Sequence, residues 1–488
     1  MVTSMKRAPR VALTALALFM LAPLSGCGRE AAGGREEPAE AAAPRNVIVI
    51  VVDALRADRV GTYGYERDTT PRIDRFAERS LVFTRAYSAA SWTLPSVGSL
   101  MTSVYPSVHG LLRPPTSADQ HTLPEEFLTL AESLRSHGFR TASITSQPWI
   151  SKETGLTQGF DEIRTVAHAS APDEARVLAE HLIGWLEGQG ETRFFLYAHF
   201  MGPHSPYDVV SEFTGRFTAG RPVPPMVAEF HRLYEFESEA RAYRMASDLA
   251  QENRLSEEEI RYLEDEYDEK LAFTDRWLGA LFDSLERLGH LDDSLIVVTA
   301  DHGESFFEHG TIFHGKHLHE ELVRVPLLIR LPGGASAPAR VDEIVELIDL
   351  YPTIHEMLEI PAPAYVQGES LLPVFHGGPG DGVAFAECSG FKVITRDWSS
   401  LHDYGDQLHL PRQVQVREMY DLAADPLEQF NLAPGDRAAE RRQRELAAAI
   451  WGEIGEIRNR YGFENRPVEF DDDTREKLAS LGYLGGAR

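Results

Sequence analysis

Cysteine is nearly absent. The 488-residue chain holds two, Cys27 and Cys388, too few for a disulfide framework. Basic residues are scarce beside acidic ones, 48 Lys and Arg against 75 Asp and Glu, for a formal charge of −27. A nucleic-acid partner needs a basic surface that displaces counterions, so no nucleic acid is expected. Beyond the N-terminal leader no apolar run approaches the ~20 residues of a membrane-spanning helix. No internal repeat is visible, and nothing in the pattern implies a protein partner. What is left is length enough for one large α/β domain and a smaller one.

The leader is an address. Lys6, Arg7 and Arg10 precede an apolar run from Val11 to Leu24 that closes on Ser25, Gly26 and Cys27. That is a secretory signal, too short and wrongly flanked for a stable span. Leu24-Ser25-Gly26-Cys27 resembles the lipobox of bacterial lipoproteins, which implies lipidation at Cys27 and a membrane anchor facing the periplasm or cell exterior. An ordinary signal peptide cleaved nearby is the alternative. Loss of the leader removes three positive charges and leaves the body still more acidic. The expected division is a signal peptide at 1–27, a Gly/Ala/Glu/Pro-rich flexible tether at 28–44, a catalytic domain at 45–375, and a C-terminal subdomain with a terminal helix at 376–488.

Two β-branched runs end in carboxylates. Asn46 to Val52 leads to Asp53, and Ser294 to Thr299 leads through Ala300 to Asp301-His302-Gly303-Glu304. Continuous apolar runs of this kind are strands buried on both faces of a parallel sheet, and open α/β sheets carry their sites at the carboxyl ends of such strands. Between them, Thr93 precedes Leu94-Pro95-Ser96, the first turn of a helix, whose free N–H groups and dipole suit a tetrahedral anion. Phe194 to Phe200 is a third strand, followed by His204 in the loop Met201 to Tyr207. Thr70-Pro71 reads as a helix cap, and Leu81-Val82-Phe83 as a short strand.

Asp53, Thr93-Leu94-Pro95-Ser96, Asp301-His302-Gly303-Glu304 and Gly315-Lys316 resemble, in order and spacing, the sulfatase family of the alkaline phosphatase superfamily. Arg324 to Ile329, Asp349 to Thr353, Gln367 to Pro373 and Met419 to Leu422 extend the likeness to nearly everything after residue 45. The resemblance implies an α/β/α sandwich around a large mostly parallel sheet, with a small C-terminal α+β subdomain. It also implies a divalent metal, one ion with a second possible, Ca²⁺ or Mg²⁺ being the alternatives to Zn²⁺ or Mn²⁺. Metal ligands carry over to Asp53, Thr93, Asp301 and His302, and substrate contacts to His204, His314 and Lys316. The likeness implies Thr93 as the catalytic nucleophile, Lys316 as a charge stabiliser or general acid, and His204 as a contact to the transferred group. His204 with His314 could bind the second ion.

The departures bear on chemistry. Thr93 stands where sulfatases carry the Cys or Ser that becomes formylglycine, and Val97 where they carry Arg. Ala54 replaces a second acid beside Asp53, and Thr145 to Trp149 lacks the family's Lys-x-His. A Thr nucleophile resembles instead the phosphoethanolamine transferases and lipoteichoic acid synthases. The expected activity is hydrolysis or transfer of a phosphate or sulfate ester, the anionic substrate, through a covalent Thr ester. The alternatives are a true sulfuric ester hydrolase and a non-catalytic, metal-stabilised binding lipoprotein. His309, His317 and His319 are expected as loop or surface residues. The charge-rich stretch 212–265 is expected as a solvated acidic face, with a substrate-shaping lid as the sharper reading.

Overall fold

The apolar runs form the middle of a sheet. All seven residues of β1, Asn46–Val52, are buried, as β-branched residues with a packed layer on each face should be. The computed structural model describes residues 43–479 apart from 113–119, 167–170, 208–211, 237–238, 334–339, 404–415, 434 and 436. The leader, the lipobox at Cys27 and the tether up to residue 42 lie outside the described residues.

The main sheet continues with β2 (Leu81–Tyr87), β3 (Arg140–Thr145), β4 (Glu162–Thr165), β5 (Phe194–Phe200), β6 (Ser294–Thr299), β7 (Arg324–Arg330) and β8 (Arg340–Glu346). The eight strands lie in the order β8-β2-β7-β6-β1-β5-β3-β4. Only β7 runs against the rest, pairing antiparallel with both β2 and β6. Helices cover the sheet, among them a 31-residue helix Glu257–Arg287 that starts in a Ser256–Glu259 capping box. The expected α/β/α sandwich is the fold observed.

A second, antiparallel sheet follows, made of β9 (Val383–Glu387), β10 (Gly390–Thr395), β11 (Trp398–Asp403) and β12 (Val416–Asp421) in sequential order. The helix Arg437–Tyr461 buries Trp451 and Ile454 against it. The terminal helix Asp472–Ala479 buries Leu478; residues from 480 on lie outside the described residues.

Three local expectations change. Leu81 begins a seven-residue strand, because β2 is paired on both sides and so is held to Tyr87. Pro71 does open a helix, but the Thr70 hydroxyl does not cap it; it accepts from Gly61 N–H at 2.9 Å instead. The acids of 212–265 do not all face water. Asp265 is buried, because Arg67 and Arg221 both pair with it; farther along the same helix Asp268 is buried against Arg67, and Glu269 accepts from the backbone N–H groups of Gly215, Phe217 and Thr218.

Candidate active site

Register brings the site together. Val51 of β1 pairs with His199 of β5 on one side and Thr299 of β6 on the other, and His199 pairs with Thr145 of β3. The carboxyl ends of four adjacent parallel strands are therefore level. Each delivers polar side chains to the same edge: Asp301 and His302 after β6, Asp53 after β1, His199 and His204 from β5, and Gln147 after β3.

All of these side chains are buried. Asp53 Oδ1 lies 3.4 Å and Asp301 Oδ2 3.6 Å from His302 Nε2. His199 Nε2 lies 3.3 Å from Asp53 Oδ2 and 3.8 Å from Asp301 Oδ2. The His302 Nδ1–H donates to Gly303 O at 2.7 Å, which fixes the tautomer and turns the Nε2 lone pair inward. Among the described residues no hydrogen-bond partner reaches Asp53 Oδ1, Asp301 Oδ2 or His199 Nε2. Buried orphan acceptors of this kind are costly unless a cation takes them up, and Asp53, Asp301 and His302 are close enough together to share one. Two carboxylates and inward-facing imidazole nitrogens form a donor set that fits a divalent transition ion.

Thr93 closes the set. It opens the helix Thr93–Thr102, with Trp92 at the cap position and no side chain capping the end. The first-turn N–H groups are thus left to a ligand. Thr93 Oγ1 is 3.4 Å from His302 Nε2 and lies beside the Asp301 carboxylate. The helix is held to the strand end by Ser96, whose hydroxyl donates to Asp301 O at 2.7 Å.

Burial alone would raise Asp53, but His199, His204 and His302 hold it below the usual carboxylate range. Asp301 is pushed up by burial and by the neighbouring Asp53 charge. Burial depresses His302, yet Asp301 and Asp53 outweigh it and raise the imidazole. The field of the two carboxylates is strongly negative, the environment a cation would neutralise.

His204 and His314 lie beside this set. Their rings are 4.8 Å apart, and His314 is 4.4 Å from His302. Glu304 accepts from His314 Nδ1 at 2.9 Å. Burial pushes His204 down to about 4 and His314 well below its ordinary value, so both are neutral donors or ligands. Lys316 is turned toward the helix Glu239–Gln251, donating to Ser247 Oγ at 2.7 Å. That helix and Pro225–Phe236 stack Tyr243 and Phe230 on Phe313, the residue before His314.

Two residues carry more of the site than the sequence suggested. His199 contacts both carboxylates, although a strand-end histidine reads equally well as an internal hydrogen-bonding partner. Gln147 stands in the loop that lacks Lys-x-His. Its Nε2 donates to Asp53 Oδ2 and, at 3.4 Å, to Thr93 Oγ1, while its Oε1 accepts from Trp149 N–H at 3.1 Å. The available signal was its position just past a strand adjacent to β5. His309, His317 and His319 are not surface residues. They are largely buried, and they gather around Glu321 in a second cluster away from Thr93.

The pattern defining the sulfatase family matches residues 45–360. A second, described as N-sulphoglucosamine sulphohydrolase, C-terminal, matches 307–456. The chain is 23% identical to a delta 4,5-hexuronate-2-O-sulfatase of Bacteroides thetaiotaomicron over 94% of its own length and 96% of the relative's. It is 25% identical to the multifunctional alkaline phosphatase superfamily protein PehA of Trinickia caryophylli, over 81% and 92%. Among solved structures, the phosphonate monoester hydrolase of Agrobacterium radiobacter shares the fold with a TM-score of 0.65 at 20% identity, covering 88% of this chain and 98% of that one.

Proposed function

The chain belongs to the sulfatase family of esterases, and from that premise we propose an exported, metal-dependent hydrolase or transferase of a phosphate or sulfate ester that uses Thr93 as its nucleophile. The supporting observation is Thr93 itself, buried at an uncapped helix N-terminus within reach of Asp301 and His302. Asp53, Asp301 and His302, with Thr93, would hold the cation, Zn²⁺ or Mn²⁺ before Ca²⁺ or Mg²⁺. Bound there, a divalent ion would polarise a non-bridging ester oxygen and favour the deprotonated hydroxyl.

The chain's own groups supply the rest. The Thr93 hydroxyl gives up its proton to solvent and attacks phosphorus. The ester oxygen leaves with a proton from Lys316. First-turn N–H groups of Thr93–Thr102 receive the oxygens of the transferred group, with His204 and His314 lining the place where it binds. Water or an acceptor alcohol then resolves the Thr93 ester. Residues 45–375 are the catalytic domain in this reading and 376–488 the C-terminal subdomain. The lipobox-like Leu24 to Cys27 supports membrane anchoring.

Sulfate-ester hydrolysis is the second reading, favoured by the relatives named as sulfatases. One experiment separates the two. Purified chain loaded with Zn²⁺ or Mn²⁺ is assayed on aryl phosphate, phosphonate and sulfate esters beside Thr93→Ala. Phosphoester turnover abolished by Thr93→Ala and by chelation supports the proposal. Sulfate turnover that survives Thr93→Ala sinks it.

A further inference from the structure

The loop that carries His204 is irregular, yet it lies in the interior. Residues Met201 to Tyr207 follow β5 and are all buried. Backbone of this kind must find partners for its carbonyl oxygens, because each one left alone is costly. Three successive oxygens of the loop are taken up by side chains. His204 Nδ1 donates to Ser205 O. The Lys270 ammonium donates to His204 O at 2.9 Å and to Pro206 O. A carbonyl only accepts, so the imidazole proton sits on Nδ1 and Nε2 keeps the lone pair. The orientation of the ring therefore depends on where Ser205 O stands, and Lys270 holds the carbonyls on both sides of it.

Lys270 lies midway along the helix Glu257–Arg287 and is 3% exposed. Burying an ammonium is expensive, and neutral donors could satisfy the same carbonyls. What the charge adds is strength, since charge-assisted hydrogen bonds are roughly twice as strong as neutral ones. The start of the loop is held too. Gly202 N–H donates to Oε2 of the buried Glu174 at 3.4 Å, the first residue of the helix Glu174–Glu187. Burial raises that carboxyl, and the Lys270 charge is among the groups that hold it down. Gly202 is also pressed against Thr274, one turn past Lys270: a Cβ at Gly202 would stand 2.2 Å from Thr274 Oγ1. Thr274 Oγ1 in turn donates to Lys270 O at 3.0 Å. One helix thus grips the loop at both ends, by packing at Thr274 and by the Lys270 ammonium.

We propose that Lys270 is a positioning residue of the reaction: by fixing His204 O and Pro206 O it fixes the Ser205 O between them, and so the direction of the His204 imidazole. This role rests on the proposed function only in giving His204 a place beside the transferred group. Lys270 acts through that ring, and misplacing a group at a reacting centre by 1 Å costs about 10²-fold in rate. Lys270→Met keeps the reach of the side chain and removes its donors. Two buried carbonyls then lose the ammonium, and the ring loses its fixed acceptor.

A double-mutant cycle on the full chain, loaded with Zn²⁺ or Mn²⁺, tests this. Wild type, Lys270→Met, His204→Ala and the double variant are assayed on the best ester among aryl phosphate, phosphonate and sulfate. Affinity for inorganic phosphate is read beside it by calorimetry. The expected result is that Lys270→Met lowers kcat by about 10²-fold and costs nothing further in the His204→Ala background, the signature of two residues acting as one. Phosphate affinity should follow the same pattern. Equal losses in the two backgrounds overturn the proposal, because Lys270 then acts on something other than His204. So does a folded Lys270→Met with wild-type kcat. If Lys270→Met fails to fold, Lys270→Gln is put through the same cycle; failure of both makes Lys270 a residue of stability alone and overturns the proposal as well. Turnover that survives Thr93→Ala sinks the nucleophile and leaves this cycle readable, whereas a wild type that neither turns over an ester nor binds phosphate sinks both.

Discussion

Two clusters of histidine and carboxylate grow from one loop, 301–321, and differ in nearly everything except residue type. The Asp301–His302 cluster sits where four parallel strands end level, so neighbouring strands contribute Asp53, His199 and Gln147 and a helix contributes Thr93. The His309–His319–Glu321 cluster is matched by acceptors from the small sheet, Glu418 and Glu428, and no hydroxyl stands at a helix N-terminus beside it. The first leaves buried carboxylate oxygens without partners among the described residues and sets a Thr hydroxyl at a helix N-terminus beside them. The lesson is that residue type alone does not decide what a cluster can do, and the elements facing it do.

The largest effect expected from breaking this contrast is at Asp301. Asp301→Asn should lower turnover of the best ester by roughly 10⁴-fold or more, the scale of removing a central catalytic group. Far-UV circular dichroism should stay unchanged, and a variant with near wild-type kcat would remove Asp301 from the mechanism.

Lys392 tests the other side. It is fully buried between Glu320 and Glu428, 2.9 Å from each. Lys392→Met strands two carboxylates and should cost about 3–5 kcal/mol of stability. Urea denaturation reads that loss, while kcat of the folded fraction should hold. A large fall in kcat with unchanged stability would show that the small sheet takes part in chemistry.

Gln147→Ala should reduce metal affinity and kcat/KM together by about 10–100-fold, as loss of an outer-shell partner does. If metal affinity is untouched while KM rises, Gln147 meets substrate instead of orienting Asp53.

The smallest effect lies away from both clusters. Burial raises Asp275 to about 7, against the backbone N–H bonds it accepts from Ile73 and Arg72. Its folded pKa exceeds its unfolded one, so between about pH 4 and 7 the folded state binds more protons. Its contribution to stability therefore falls as pH rises through that window. Asp275→Asn should flatten this slope in melting temperature against pH, and an unchanged slope would assign it to other groups.

Much of the site was legible because strand-end acids, a Thr-Leu-Pro-Ser turn and Asp-His-Gly-Glu each announce themselves locally. Gln147 and His199 were not, since their role depends on register with β1, which no local window contains. The buried acid Asp265 was misread for the same reason. Its partners Arg67 and Arg221 approach from other segments. His309, His317 and His319 looked like ordinary polar loop residues because Glu418 and Glu428 lie about a hundred residues later.

The sequence by itself determined the buried parallel strands and the sulfatase-family order of motifs. These rest on apolar runs and on side-chain identity, which are local properties. The tertiary structure alone decided which polar residues share a site. Parallel pairing aligns strand ends from distant parts of the chain, and only that alignment turns scattered acids and imidazoles into one field strong enough to hold a cation.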